Sequence, residues 1–230
     1  MMSTNLATPE RAATRTIEVR QSLLDGNDRQ AARNRGRFRD LGLTALNLVS
    51  SPGAGKTALL ERTLAEFGRD TPCAAVVGDL ATDRDARRLG RWKAPVAQIT
   101  TGSACHLDAF MVAHAVDRLD LAGARLLFIE NVGNLVCPAA FDLGESVRVV
   151  LLSAAEGEDK PLKYPPIFKS ADVVLLTKID VAGVLGFDVE EAAENVRRMA
   201  PQARIVRLSA RSGAGLDQWY YLLGAMVRRE

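Results

Sequence analysis

The stretch "LNLVSSPGAGKTALLERTL", residues 46–64, constrains this chain more than any other segment. Leu46, Leu48 and Val49 feed a glycine-bearing loop, and Leu59, Leu60, Leu64 and Phe67 follow at helical spacing, so the stretch reads as strand, tight loop and helix. Gly53 and Gly55 let the loop turn with its amides inward, where an anion can rest on them and on the helix N-terminus. Residues 50–57 fit the Walker A pattern, except that Ser50 stands where the first glycine is usual. In that pattern Ser51, Gly53, Ala54 and Gly55 surround the phosphates, Lys56 neutralises the β and γ oxygens, and Thr57 offers its hydroxyl to Mg²⁺.

From residue 44 onward apolar β-rich runs alternate with helical patterns. The runs at 44–50, 73–79, 96–101, 125–131, 147–154, 172–177 and 203–208 read as strands, and 56–68, 83–90, 107–119, 188–200 and 215–228 as helices. Such alternation predicts an α/β fold, a mostly parallel sheet flanked by helices in the manner of P-loop NTPases. Ligands of such sheets bind beyond the carboxyl ends of the strands, where the Walker loop falls. Residues 44–230 are expected to form this domain and 1–43 an N-terminal helical extension. In that extension, residues 1 to about 13 are expected to be mobile and 14–40 to form one or two short helices, with Ile17, Val19, Leu23, Leu24 and Phe38 as apolar points.

A chain of 230 residues needs no second domain, and a net charge of +2 does not suggest a nucleic-acid partner. No apolar run is long enough to span a membrane and the N-terminus lacks a secretory core, so a cytoplasmic protein without membrane insertion is expected. Cys73, Cys105 and Cys137 are then expected as thiols, free for metal binding or simple burial.

Two later segments address the base. "LLTKID" puts Thr177, Lys178 and Asp180 directly after an apolar strand, and "RLSARSGAG" puts Ser209, Ala210 and Arg211 at the end of the last one. An aspartate there can accept the ring N–H and exocyclic amine protons of guanine, while a lysine stem lies along the base plane. Together with the Walker loop this points to GTP over ATP, although Thr177 replaces the commoner asparagine. The segment "ENVG" looks like a γ-phosphate sensor, with Glu130 in the Mg²⁺ shell and Gly133 reaching the phosphate; Asp79 is a further Mg²⁺ candidate. Asp83 and Asp85 read equally well as ligands of Mg²⁺ waters and as helix-capping acids.

The blocks "GDLATDRDARRL", "TGSACHLDA", "IENVGNLVCP", "EGEDKPLKYP" and "TKID" resemble the HypB family, GTPases that assist nickel insertion into [NiFe]-hydrogenase. The resemblance runs from about residue 44 to 215 and implies a SIMIBI-like GTPase. It carries over Cys105, His106 and Cys137 as ligands of Ni²⁺ or Zn²⁺, between which two thiolates and an imidazole do not choose. Cys105 and His106 are expected in the first turn of a helix, whose N-terminus favours thiolate. Cys73 keeps a core reading, and His114, mid-helix, a structural or solvated one.

The resemblance further implies a nucleotide-dependent homodimer that gathers Cys105 and His106 from both subunits, with Lys160 and Lys163 as polar candidates near the interface. It also implies a HypA-type nickel protein and a hydrogenase large-subunit precursor as partners. Because Cys137 closely follows Gly133, nucleotide state is expected to reach the metal through Cys137, while Cys105 holds metal on a separate segment. Rival readings are a urease-type nickel GTPase, disfavoured because the Cys-Pro-His triplet is replaced by Cys137-Pro138-Ala139, and a GTP switch that binds partners without metal.

Overall fold

The structure is a computed structural model that describes residues 9–227, with side chains from Leu23 onward. Seven parallel strands form one sheet: β1 (Thr44–Ser50), β2 (Cys73–Asp79), β3 (Val96–Thr100), β4 (Leu126–Glu130), β5 (Val147–Ser153), β6 (Val173–Thr177) and β7 (Arg204–Arg207). Their order is β3-β2-β4-β1-β5-β6-β7, which puts the strand of the glycine loop directly beside the strand that ends in Glu130. This is the mostly parallel, helix-flanked α/β sheet in the manner of P-loop NTPases that the sequence led us to expect.

Every residue of β1, β4 and β6 is buried, as continuous apolar runs covered on both faces must be. The edge strand β7, Arg-Ile-Val-Arg, is capped by charge at both ends, which discourages pairing with another chain.

The helices are α1 (Pro9–Asp40), α2 (Lys56–Glu66), α3 (Arg84–Gly90), α4 (Ala109–Val116), α5 (Lys160–Lys163), α6 (Pro165–Lys169), α7 (Ala182–Leu185), α8 (Val189–Met199) and α9 (Leu216–Val227). Side chains of α2, α3 and α9 close one face of the sheet: Leu59, Leu60, Leu89, Trp219 and Leu223 bury fully against Leu46, Leu48 and Phe128. On the other face α1 and α4 pack over one half and α6 and α8 over the other. Asp188 caps α8 by accepting from the Glu190 and Glu191 amides, and Arg197 and Arg198 in its last turn suit the negative end of the helix.

Two expectations need correction. The extension is one 32-residue helix rather than one or two short ones, and among its described side chains Asn27, Ala31, Asn34 and Phe38 form a buried stripe at helical spacing. The other concerns α4, which begins at Ala109 with Asp108 as its cap, the carboxylate accepting from the Met111 amide. Cys105 and His106 therefore lie in the loop before the helix rather than in its first turn.

The expected mobile stretch falls on residues 1–8, which lie outside the described residues, and on residues 9–13, where the backbone is helical. The side chains of Ile17 and Val19, and position 228 of the last expected helix, also lie outside them.

Candidate functional site

Three groups of residues share the carboxyl ends of the strands. The first is the phosphate floor. Gly53 and Gly55 hold φ of 76° and 101°, a left-handed backbone that glycine adopts without strain, and the loop leads from Ser50 into α2. Ser50 is fully buried, and its hydroxyl accepts from the Lys56 ammonium at 2.9 Å while donating to the Ser51 carbonyl at 2.7 Å. The serine in place of the usual glycine thus anchors Lys56, the lysine of the Walker pattern. Burial pulls the Lys56 pKa down, against the opposing attraction of Glu130, Asp85, Glu156 and Asp79.

The Thr57 hydroxyl donates to Glu130 Oε1 at 2.7 Å, and Glu130 Oε2 is buried with no partner. Burial pushes the Glu130 pKa up to about 7, only partly offset by Lys56 and Thr57. At Asp79 partial desolvation raises the pKa, but the Thr82 and Ala81 amides outweigh it and hold the carboxylate below its ordinary value. Thr57, Glu130 and Asp79 all line one cleft of about 520 Å³. A hydroxyl and two carboxylates, one with an orphaned buried oxygen, suit the hard, oxygen-seeking Mg²⁺.

Asp85, Arg88 and Gly133 line the same cleft. Asp83 stands at the cap position of α3 but makes no capping bond, pairing with Arg87 instead, so its capping reading is set aside. Ser51 belongs to the loop without lining either cleft described here.

Next to the glycine loop is a cleft of about 310 Å³ lined by Ala54, Gly55, Thr177, Lys178, Asp180, Ser209, Ala210 and Arg211, which brings together the two segments expected to read the base. Two bonds tie it to the glycine loop: Thr177 Oγ1 donates to the Ala54 carbonyl at 2.8 Å and Lys178 Nζ to the Gly53 carbonyl at 2.7 Å. Thr177 thus supplies a tie to the loop at the position where asparagine is commoner. Lys178 has a φ of 60°, an uncommon conformation for a non-glycine residue, held here by its bond to the loop.

The third group is the metal corner. The donor atoms of Cys105, His106 and Cys137 lie within 4.8 Å of one another, with Cys105 Sγ 2.8 Å from Cys137 Sγ and 3.9 Å from His106 Nδ1. The His106 ring stacks on Phe141 at 3.8 Å between centroids, and partial burial lowers its pKa, favouring the neutral ligating form. The Cys137 pKa is raised, first by its hydrogen bond with Cys105 and then by burial. Three donors at half-buried positions leave coordination places open for further ligands.

Cys73 is buried in the core, its thiol pushed up to about 12, whereas His114 is exposed. Lys160 lies over the Tyr164 ring and 3.8 Å from Glu156, and Lys163 pairs with Asp159.

A buried polar network absent from the sequence reading supports this corner. Asn131 accepts from the Leu107 and Val132 amides and donates to Asn47, which donates to Glu145, and Glu145 pairs with Arg148. Asn134 donates to the Cys105 carbonyl at 3.2 Å. The Cys105 segment is therefore tied to the segment that follows Glu130, contrary to the expectation that it stands apart.

Helix α1 grips the same corner from outside. Asn27 accepts from the Ala109 amide and donates to the Asp142 carbonyl, and Asn34 donates to the carbonyls of Ala109 and Leu143. Gly144, at φ of 89°, packs so close to α1 that a Cβ would come within 2.6 Å of the Ala31 carbonyl. The signal for these residues was available: an amide inside an apolar strand, such as Asn47 in "TALNLVS", must find a partner when buried.

Comparison with known proteins gives the relatives of this chain. The family described as CobW/HypB/UreG, nucleotide-binding domain, matches residues 44–207. The hydrogenase maturation factor HypB of Azotobacter vinelandii is 54% identical over 211 residues, covering 92% of this chain and 70% of that protein. A crystal structure of HypB from Helicobacter pylori in complex with nickel superposes with a TM-score of 0.83 at 42% identity, covering 88% of this chain and 95% of that one. The hydrogenase maturation factor HypB of Archaeoglobus fulgidus superposes with a TM-score of 0.84 at 37% identity, covering 89% and 100%.

Proposed function

Because the chain belongs to the HypB family within the CobW/HypB/UreG nucleotide-binding domains, we propose that it is a Mg²⁺-dependent GTPase whose nucleotide controls a nickel site during [NiFe]-hydrogenase maturation. One observation carries the reading: a single short segment, residues 130–137, contributes to both the phosphate cleft and the thiol cluster. Glu130 and Gly133 line the first, and Cys137 belongs to the second.

In this reading the amides of residues 53–57 hold the phosphates and Lys56 balances their charge. Thr57, Glu130 and Asp79 would hold Mg²⁺, which would supply further positive charge to the phosphates. Phosphoryl transfer asks the protein chiefly for positioning and charge, which is what these groups offer. Asp180 reads guanine, flanked by Lys178 and by Ser209, Ala210 and Arg211.

Gly133 senses the γ-phosphate. It packs so tightly on the glycine loop that a Cβ would lie 2.9 Å from Pro52 Cα, so the phosphate site and the position of the segment depend on each other.

The metal set of Cys105, His106 and Cys137 takes Ni²⁺ as cargo, with Zn²⁺ as the competing ion. Its open coordination places suit a second copy of the chain across a two-fold axis, or the HypA-type donor and the hydrogenase large-subunit precursor in turn. In the test, purified protein should hydrolyse GTP in preference to ATP with Mg²⁺ and bind Ni²⁺ stoichiometrically. A partner-binding switch without metal function predicts hydrolysis and no stoichiometric Ni²⁺. Deletion of the gene should abolish hydrogenase activity, with recovery in excess nickel.

A further inference from the structure

Resting on the coupled reading above, we propose that Asn131 is the positioning residue that carries nucleotide state to the Cys105–His106 arm, with Asn134 as a second tie. Residues 101–108 cross the carboxyl ends of β2 and β4 and are held there at several points. The Thr101 and Gly102 amides donate to the carbonyls of Asp79 and Leu80 at 2.9 and 3.0 Å. Leu107 is fully buried against Gly78, where a Cβ would lie 2.7 Å from Leu107 Cδ2. The Leu107 amide donates to Asn131 Oδ1 at 3.1 Å, and Asn134 Nδ2 donates to the Cys105 carbonyl at 3.2 Å.

Asn131 is placed for this role. It stands between the Mg²⁺ candidate Glu130 and the sensor Gly133, and is 1% exposed. Its amide orientation is fixed from both ends: Oδ1 accepts from the amides of Leu107 and Val132, and Nδ2 donates to Asn47. A shift of residues 130–134 toward or away from a γ-phosphate would strip the buried Leu107 N–H of its acceptor unless the Cys105 loop followed. An orphaned buried donor is costly, so the loop follows. Cys137 moves because it is on the same segment, and Cys105 with His106 because Asn131 and Asn134 hold their loop to it.

The test is Ni²⁺ titration of the full chain loaded with GDP or a non-hydrolysable GTP analogue, followed by thiolate-to-nickel charge-transfer absorption. The parent affinities should differ between the two states by about 5- to 150-fold, the usual span for coupled sites. In Asn131→Ala the ratio should fall toward one while Ni²⁺ still binds, since every ligand is intact. A merely structural role would weaken both states alike and leave the ratio unchanged. Asn134→Ala, at a half-buried position with one bond to the loop, should reduce the ratio in the same direction and decides the matter if Asn131→Ala does not fold. Retention of the parent ratio in the folded variant overturns the relay while the coupled reading stands. A parent ratio of one removes the coupled reading and the relay with it.

Discussion

The corner proposed to read the base and the corner proposed to hold metal both hang from loops beyond the strand ends, yet they are hydrogen-bonded to different segments. Thr177 and Lys178 bond to the carbonyls of Ala54 and Gly53, within the glycine loop itself. Cys105 and Leu107 bond to Asn134 and Asn131, within the segment proposed to sense the γ-phosphate. In the proposed switch, a part hydrogen-bonded to the glycine loop would keep its place as the phosphate changes, and a part hydrogen-bonded to residues 131–134 would follow that segment. On the proposed reading, guanine recognition would be insulated from the nucleotide cycle and metal recognition exposed to it.

The contrast can be broken most sharply at the base. Asp180→Asn should weaken GTP by about 10²- to 10⁴-fold, as expected for two charge-assisted hydrogen bonds, and gain xanthosine triphosphate, whose ring carries a carbonyl in place of the amine. With that nucleotide bound, the metal corner should behave as in the parent. Unchanged GTP affinity in a binding titration would refute the base assignment.

Lys56→Ala should lower the rate of GTP hydrolysis by about 10²- to 10³-fold, through loss of a preorganised charge. Phosphate-release kinetics with unchanged turnover would remove the Walker reading.

Cys105→Ala and Cys137→Ala should each weaken Ni²⁺ binding in both nucleotide states and shrink the coupling of about 5- to 150-fold to similar extents, because both arms are tied to the sensor. If Cys105→Ala alone preserved the ratio, its arm would be as still as the base corner. Calorimetric titration of the two variants distinguishes these outcomes.

The smallest effect concerns stability. Desolvation raises the Glu130 carboxyl from 4.5 to about 7, so in the nucleotide-free protein the fold favours its protonated form. Between those values the unfolded chain releases this proton first, and stability falls as pH rises through the window and stays reduced above it. Glu130→Gln, neutral and of similar shape, should melt higher than the parent at pH 8 and level with it near pH 4. Equal melting at both would show that the carboxylate is better solvated than its burial implies.

Legibility followed the chemistry of each part. The strands were plain because a buried parallel strand is a nearly unbroken apolar run, and "LFIE" or "VVLLT" has few other uses. The lining of the clefts was plain because its glycines, lysines and acids stand in short recognisable motifs, the Walker loop, "ENVG", "TKID" and "SAR".

The stripe on α1 was hidden because half of it is asparagine, so hydropathy shows no continuous face where burial does. The short helices α5, α6 and α7, each of 4 or 5 residues, are too brief to show a period. The ties from Asn131 and Asn134 join segments far apart in sequence, and nothing local to either residue names its partner.

The stripe on α1 also bears on the order of assembly. The chain leaves the ribosome with Asn27 and Asn34 long before their partners: Asn27 bonds 115 residues ahead to Asp142, and Asn34 bonds 75 and 109 ahead to Ala109 and Leu143. Contacts of such separation close late in folding. A stripe of leucines would spend that interval as a sticky surface, but asparagines remain content in water until the carbonyls arrive. The contacts that clamp the Cys105–His106–Cys137 cluster from α1 therefore wait for residues 109–143, and a nascent chain that ends before them lacks the clamp.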